Sequence, residues 1–326
     1  MSKVAVVNAN SFGTYFPEFI DFLIQEVGEV TRFKFDQAIS GQDLAEALSG
    51  YSYVISGTVP QFSEAFFKAN TSVRYIARFG VGYNNIDVSA AQQYGVLVSN
   101  MPSYLEKEDV AEQAASLVLS LAKHITGGNQ AVRNLEWNIN RARFMGQRIN
   151  GKTVGVIGLG HIGSTFARIM SRGYQCRVIA YDPYLSEVQC IERFAQKVDL
   201  LELIETADII SLHMNLTPEN YHQIDASMLK RMKPTAILVN TARGELVDEQ
   251  AVADALNSGK LFGYGADVIE NEPPQKENPL LTARHCDLTP HLGTYNGECN
   301  REMCQCIVED IRRVHTGHLP VNKLEG

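Results

Sequence analysis

Three side chains of the kind that bind anions or move protons follow predicted strands in the second half of the chain. Arg243 comes just after the apolar run AILVN, and His291 ends the stretch CDLTPH. Glu272 lies beyond a third run, in GADVIENEPP. Ligands of an open α/β sheet bind outside the carboxyl ends of its strands, so we expect these three side chains at one edge of a sheet.

A glycine pattern in the same half of the chain could bind the phosphates of a dinucleotide. In TVGVIGLGHIG a predicted strand leads into Gly158, Gly160 and Gly163, with His161 and Ile162 inside the turn. The first glycine permits a tight turn, the second lets a pyrophosphate approach, and the third lets the following helix pack closely. The N-terminus of that helix offers unpaired N–H groups and a positive dipole end to the phosphates.

An acidic residue closes the next predicted strand, RVIAYD. Asp182 lies 19 residues beyond Gly163. A carboxylate there can accept hydrogen bonds from the adenosine ribose and would repel a 2′-phosphate. A lone GxGxxG is weak evidence, but strand, turn, helix and acid together predict NAD as the cofactor.

Strand and helix patterns alternate along the chain. This alternation predicts an α/β protein with parallel sheets that are covered on both faces. The first series of predicted strands covers 4–8, 30–35, 53–56, 74–79 and 95–99, and the second covers 153–158, 177–182, 209–214, 236–240, 263–268 and 286–290.

Two long helices are predicted outside these series. One follows Asp109, which together with Glu112 has the spacing of a capping box, and Gly127 and Gly128 are expected to end it. The other is expected over residues 294–316.

Size and composition narrow the class of protein. A chain of 326 residues exceeds the usual single domain, so two domains are expected. A net charge of −8 argues against a nucleic-acid partner. No apolar stretch is long enough to span a bilayer and the N-terminus lacks a signal-peptide pattern, so a cytoplasmic protein without membrane contact is expected.

The six cysteines have no recognisable disulfide or metal pattern. Cys299, Cys304 and Cys306 are grouped, but without paired CxxC spacing. Six cysteines are too sparse for a disulfide framework in a chain of this length. We therefore expect thiols on a helix and no metal site.

The chain resembles the D-isomer-specific 2-hydroxyacid dehydrogenases. The match extends over most of the sequence and keeps the family's order of motifs. The matching stretches are ARFGVGYNNID (77–87), GKTVGVIGLGHIGSTFARI (151–169), MKPTAILVNTARGELVDEQAVADAL (232–256), ADVIENEPP (266–274) and TPHLG (289–293).

The resemblance implies roles for the three side chains. Arg243 would bind the carboxylate and the ketone oxygen of a substrate, for which a guanidinium fork is suited. His291 would be the general acid in keto-acid reduction and the base in the reverse reaction. Glu272 would hydrogen-bond the histidine, and its charge should favour the protonated imidazole. The neighbouring Glu270 is expected at the surface.

The resemblance also implies cofactor contacts beyond the glycine turn. Asp267 would hold the nicotinamide carboxamide, His213 and Thr217 would lie near the cofactor, and Thr241 and Ala242 would contact it.

Substrate contacts are implied in the first half of the chain. Backbone N–H groups of Val81 and Gly82 match the family's carboxylate-binding loop, and Tyr104 is similar in position to a substrate-side tyrosine of the D-lactate branch.

Two local departures from the family pattern affect the site. Asn215 stands where the family usually has a proline, which makes the path of that loop less constrained. The Gly-Gly-Ser/Thr that usually follows the histidine is replaced by Gly293, Thr294, Tyr295 and Asn296, and Tyr295 is expected to alter the pocket.

The resemblance implies two Rossmann-like domains. A flavodoxin-like substrate domain would comprise 1–100 plus 291–326, and an NAD-binding domain would comprise 101–290. Substrate and NAD would meet in a cleft that closes to exclude water. A homodimer is expected, with 101–150 as its interface.

The substrate and the function class leave alternatives open. Tyr104 and the aromatic content of the first domain favour an aliphatic or aromatic 2-keto acid. Phosphoglycerate dehydrogenases often carry an added C-terminal domain, so that activity is less expected, while a hydroxypyruvate-specific enzyme stays open. A non-enzymatic NAD-sensing protein or corepressor is the second function class. Formate oxidation on this fold would not need Glu272.

Overall fold

The computed structural model describes residues 2–138 and 140–326, which pack as two compact units. The first unit comprises residues 2–106 and 295–326, and the second comprises 107–138 and 140–294. Each contains one parallel sheet, as expected for an α/β protein. Among the described residues, no helix combines the length and apolarity that crossing a bilayer requires.

The first unit has a five-stranded sheet in the order β2-β1-β3-β4-β5, the flavodoxin-like order. Its strands are β1 (Ser2–Val7), β2 (Gly28–Phe33), β3 (Tyr53–Ser56), β4 (Tyr75–Arg78) and β5 (Leu97–Ser99). Its helices are α1 (Glu18–Glu26), α2 (Gly41–Ala47), α3 (Glu64–Ala69), α4 (Val88–Gln93) and the C-terminal α12 (Gly297–His315).

The second unit has a seven-stranded sheet in the order β12-β11-β10-β9-β6-β7-β8. Its strands are β6 (Thr153–Ile157), β7 (Arg177–Tyr181), β8 (Gln196–Lys197), β9 (Ile209–Leu212), β10 (Ile237–Asn240), β11 (Gly263–Ala266) and β12 (Cys286–Leu288). Its helices are α5 (Lys107–Lys123), α6 (Ile125–Arg133), α7 (His161–Tyr174), α8 (Glu187–Glu192), α9 (Leu200–Thr206), α10 (Ala226–Arg231) and α11 (Glu249–Asn257), with short 3-10 helices at Arg141–Phe144, Pro218–Asn220, Gly244–Leu246 and Pro279–Thr282.

Both faces of this larger sheet are covered. Leu238 on β10 belongs to one apolar core, whereas its neighbours Ile237 and Val239 belong to the core on the opposite face. Alternate side chains of a strand point to opposite faces, so a strand that is apolar throughout must be buried on both. Strand order reverses between β6 and β9, which is where such sheets bind ligands.

The long helix between the two strand series differs from its predicted bounds. It begins at Lys107, so Asp109 lies within its first turn rather than ahead of it. It ends at Lys123 because His124 adopts a left-handed backbone conformation, with φ of 52°. Gly127 and Gly128 therefore do not end it; they lie inside the next helix, α6.

The C-terminal helix is predicted more closely. It begins at Gly297, where the side chain of Asn296 accepts the backbone N–H of Cys299. The grouped cysteines lie on this helix, as expected. Within the described residues, no three His, Cys, Asp or Glu side chains are arranged to hold a metal ion.

Candidate active site

A carboxylate and an imidazole from two loops of the second unit form a hydrogen-bonded pair. Nδ1 of His291 lies 2.8 Å from Oε2 of Glu272. The other carboxylate oxygen of Glu272 accepts the backbone N–H of Ile269 at 3.3 Å. Because Nδ1 faces Glu272, Nε2 is the ring atom that can exchange a proton with a substrate. Both side chains are partly exposed, so a ligand can reach them.

The surroundings favour an ionised Glu272. Partial burial opposes the charge, but the hydrogen bond and charge of His291 outweigh it and lower the pKa of the carboxyl. The Ile269 N–H and the nearby Arg243 act in the same direction. Glu272 is therefore a carboxylate at neutral pH and can stabilise a positive imidazolium.

A buried carboxylate fixes the loop that carries His291. Asp267, only 3% exposed, accepts the backbone N–H of Gly293 at 2.7 Å and of Leu292 at 2.8 Å. It also accepts the Thr289 hydroxyl at 2.5 Å, and its own carbonyl accepts the His291 N–H at 2.9 Å. These bonds hold His291 with φ of 54°, a left-handed conformation that a non-glycine residue adopts at a cost.

Arg243 lies on a turn that is fixed by a side chain the sequence analysis missed. The fully buried Asn240 accepts the Ala242 N–H at 3.0 Å and donates to the Arg243 carbonyl at 2.8 Å. The Arg243 guanidinium donates a hydrogen bond of 2.6 Å to the Ala242 carbonyl. Asn240 could have been noticed as a polar residue that closes an otherwise apolar strand.

A close backbone approach brings the Arg243 turn to the Glu272 loop. A Cβ on Gly244 would overlap the backbone of Ile269 and Glu270. Glycine is therefore required beside Arg243, and the approach explains why the Arg243 charge acts on Glu272. The second unit thus brings together all three side chains of the predicted acid–base set.

The glycine turn has the shape that a dinucleotide phosphate needs. Gly158 has φ of 86°, and a Cβ there would lie 2.7 Å from the Met214 nitrogen. A Cβ on Gly163 would overlap the Gly158 carbonyl, whereas one on Gly160 would meet nothing within 4 Å. The open space beside Gly160 faces the start of α7, whose first N–H groups, including those of His161 and Ile162, lack intrahelical acceptors.

Two backbone hydrogen bonds fix the carboxylate of Asp182. Its carboxylate accepts the N–H groups of Leu159 and Tyr184, at 2.9 and 3.0 Å. The side chain is largely buried, yet each oxygen retains accepting capacity for a ribose hydroxyl.

Buried polar atoms of two predicted cofactor residues have no hydrogen-bond partner among the described residues. They are Nδ1 of His213 and Oγ1 of Thr241. Nε2 of His213 bonds the Ser211 hydroxyl at 2.9 Å, and burial lowers the pKa of His213 to about 3, which keeps the ring neutral. Buried polar groups are rarely left unpaired, so both atoms fit a site completed by a bound cofactor.

The remaining predicted residues occupy exposed or loop positions. Thr217 precedes a 3-10 helix, and its N–H donates to Asn220. In the first unit, the Val81 carbonyl accepts the Asn100 side chain, Gly82 follows in the same loop, and Tyr104 is 54% exposed. Tyr295 also belongs to the first unit, where its hydroxyl lies 2.6 Å from that of Tyr15.

Comparison with known proteins identifies the family. The family model for the D-isomer specific 2-hydroxyacid dehydrogenase NAD-binding domain matches residues 115–293. The chain belongs to this family. A family member of this kind is an NAD-dependent oxidoreductase, which agrees with the glycine turn, Asp182 and the unpartnered atoms of His213 and Thr241.

Individual relatives cover both units. A glyoxylate reductase of Korarchaeum cryptofilum is 33% identical over 92% of this chain and 90% of its own length. A D-3-phosphoglycerate dehydrogenase of Methanocaldococcus jannaschii is 35% identical over 92% of this chain but 56% of its own length. The apo structure of D-lactate dehydrogenase from Escherichia coli superposes with a TM-score of 0.84 and 31% identity, covering 99% of this chain and 100% of that one.

Two glycine substitutions separate the packing role of the turn from its phosphate-binding role. Gly163→Ala should lower both stability and NADH affinity, because the new methyl group overlaps the Gly158 carbonyl. Gly160→Ala should leave stability nearly unchanged and still weaken NADH binding, because its methyl group fills the space beside the helix N-terminus. Thermal unfolding and NADH fluorescence titration measure the two effects. Unchanged NADH affinity in Gly160→Ala would contradict the phosphate assignment.

Proposed function

We propose that this dehydrogenase reduces a small 2-keto acid to the D-2-hydroxy acid with NADH and catalyses the reverse oxidation. The observation that carries the proposal is the His291–Glu272 hydrogen bond of 2.8 Å beside the Arg243 turn. A proton donor, its carboxylate partner and a guanidinium are the groups that a reaction at a carbonyl next to a carboxylate requires.

In this proposal, His291 handles the proton. Nε2 donates to the ketone oxygen during reduction and accepts the proton back during oxidation, while Glu272 holds the ring by Nδ1 and balances the imidazolium charge. Arg243 binds the substrate carboxylate and the ketone oxygen. In the first unit, the backbone N–H groups of Val81 and Gly82 are the proposed substrate donors. Tyr104 contributes to the substrate side.

The residues of the second unit hold the cofactor. When bound, NADH supplies the hydride that reaches the keto carbon. Gly158, Gly160 and Gly163, with the N–H groups of His161 and Ile162, bind the pyrophosphate, and Asp182 binds the adenosine ribose. The other proposed contacts are His213, Thr217, Thr241, Ala242 and Asp267. For Asp267, four internal hydrogen bonds support a structural role in addition to contact with the nicotinamide carboxamide.

The proposed substrate is a small 2-keto acid with an apolar side group. The glyoxylate reductase relative supports a small keto acid, and Tyr104 favours a chain with an apolar side group. A phosphoglycerate or hydroxypyruvate-specific activity is the second candidate, supported by the Methanocaldococcus relative. NADH oxidation with glyoxylate, pyruvate, branched and aromatic 2-keto acids, hydroxypyruvate and phosphohydroxypyruvate distinguishes them. NADH binding without turnover on any of these would favour a sensing protein.

His291→Gln tests the acid–base assignment. Without a transferable proton at position 291, kcat should fall by about 10²–10⁴-fold. NADH affinity should stay close to that of the wild type, because His291 is assigned to proton transfer. Stopped-flow kinetics and fluorescence titration measure both, with the exposed His318→Gln as a matched control. Equal losses of turnover and NADH affinity would contradict the role.

We also propose a homodimer whose interface includes the segment around α6. Large apolar side chains are exposed there, among them Leu135 at 92%, Met145 at 76% and Trp137 at 65%. Such clusters on a folded surface mark protein contacts. A cytoplasmic location is proposed with it, since six cysteines without a disulfide pattern suit a reducing compartment.

Leu135→Glu tests the dimer. A charge on a buried interface should shift the protein from dimer to monomer in light scattering coupled to size-exclusion chromatography. Leu319→Glu, an exposed leucine of the first unit, is the matched control and should remain dimeric. A monomeric wild-type protein at micromolar concentration would contradict the proposal.

A further inference from the structure

A second carboxylate–imidazole contact lies beside the catalytic one. Glu270 accepts the Tyr221 hydroxyl at 2.9 Å through Oε1, and its Oε2 lies 3.2 Å from Nε2 of His222. The two rings stack, with centroids 4.0 Å apart and planes 17° from parallel. Glu270 keeps 26% of its side chain exposed, but both of its carboxylate oxygens are engaged.

The backbone of Glu270 is held by the buried side chain of Glu249. Its backbone N–H donates to Oε1 of Glu249 at 2.8 Å, and the other oxygen of Glu249 accepts the Asn278 amide at 2.6 Å. Glu249 is itself buried in the first turn of α11. The Glu270 carboxylate is therefore a firmly placed acceptor two residues before Glu272.

Tyr221 and His222, the partners of Glu270, are the last residues of a segment that starts next to the glycine turn. This segment, residues 213–222, packs at its start against the glycine turn, where a Cβ on Gly158 would lie 2.7 Å from the Met214 nitrogen. In its middle, Asn220 donates to the Asn215 carbonyl at 2.8 Å and accepts the Thr217 N–H at 2.7 Å. Asn215 replaces the family's usual proline, so these side chains supply a restraint that the backbone lacks.

We propose that Glu270 is a positioning residue that ties the 213–222 segment to the Glu272 loop and thereby keeps the cofactor contacts in register with His291. The proposal rests on the proposed function. The 213–222 segment packs against the glycine turn at His213 and Met214 and is held in its middle by Asn220. At its end, the stacked rings of Tyr221 and His222 contact Glu270, which lies two residues before Glu272. The Ile269 N–H that bonds Glu272 lies directly before Glu270, so a shift of Glu270 would move both groups.

The negative charge of the Glu270 carboxylate strengthens its hydrogen bond with Tyr221. The hydrogen bond to Glu270 raises the pKa of Tyr221, so the phenol stays protonated and donates at neutral pH. Hydrogen bonds to an ionised acceptor are stronger than neutral ones. Replacing Glu270 by its neutral isostere should therefore loosen the segment without opening a cavity.

The test compares Glu270→Gln, Tyr221→Phe and the double variant. NADH dissociation constants, measured by fluorescence without substrate, should rise about three- to ten-fold in Glu270→Gln, as expected when a charged hydrogen bond becomes a neutral one. Tyr221→Phe should give a smaller rise, and the double variant should be no worse than Glu270→Gln, because the two changes break one contact. Glu277→Gln, an exposed glutamate of the same loop region, is the matched control.

Two further readouts distinguish positioning from a purely structural role. Glu270→Gln should change NADH affinity more than kcat, whereas Glu272→Gln should change kcat more than NADH affinity. A lower melting temperature with unchanged NADH affinity would overturn the proposal, as would additive effects in the double variant. Because NADH affinity is measured without a keto acid, the result stands apart from failure of the proposed reaction.

Discussion

The buried carboxylate of Asp267 is the constraint on which the candidate site depends. By accepting the N–H groups of Leu292 and Gly293 and the Thr289 hydroxyl, it converts the end of β12 into a fixed turn. His291 lies inside that turn with a left-handed backbone, a conformation that persists only where surrounding bonds hold it. The direction of the imidazole toward Glu272 follows from this turn.

Close backbone approaches assemble the rest of the site around that turn. Gly244 lets the Arg243 turn lie against the residues just before Glu272, and Gly158 lets the 213–222 segment lie against the cofactor turn. Each approach joins loops from different strands of one parallel sheet. The loops at the carboxyl ends of β6, β9, β10 and β11 therefore form one platform for the candidate site. The hydrogen-bonded sheet fixes the positions of these loops relative to one another.

Much of this platform could be predicted from the sequence because its signals are local. Apolar runs placed eleven of the twelve strands that the described residues form, and the glycine spacing placed the turn between β6 and α7. The two-residue β8 was missed, since Gln196–Lys197 is a polar edge strand without a pattern to detect. The bounds of α5 were missed because no glycine or proline marks the left-handed turn at His124.

The supporting bonds were the least predictable part of the site. Gln113, which donates to the Thr289 hydroxyl at 2.9 Å, and Glu249 act through partners that lie far away in the sequence and that no local pattern predicts. Glu270 was expected at the surface, and nothing in its sequence neighbourhood predicts that Tyr221 and His222 bond it from a different loop. Residue type and spacing predict the candidate groups for chemistry, and tertiary contacts determine what holds them.

In the proposed mechanism, one imidazole, held by Glu272, carries the proton in both reaction directions. The most direct measurement is the pH dependence of kcat/KM for keto-acid reduction and for hydroxy-acid oxidation, in the wild type and in Glu272→Gln. Opposite limbs are expected, with reduction lost as pH rises and oxidation lost as pH falls, and kcat/KM should be lower in both directions in Glu272→Gln. Limbs in the same direction, or a Glu272→Gln variant that keeps the wild-type kcat/KM in both directions, would contradict this role.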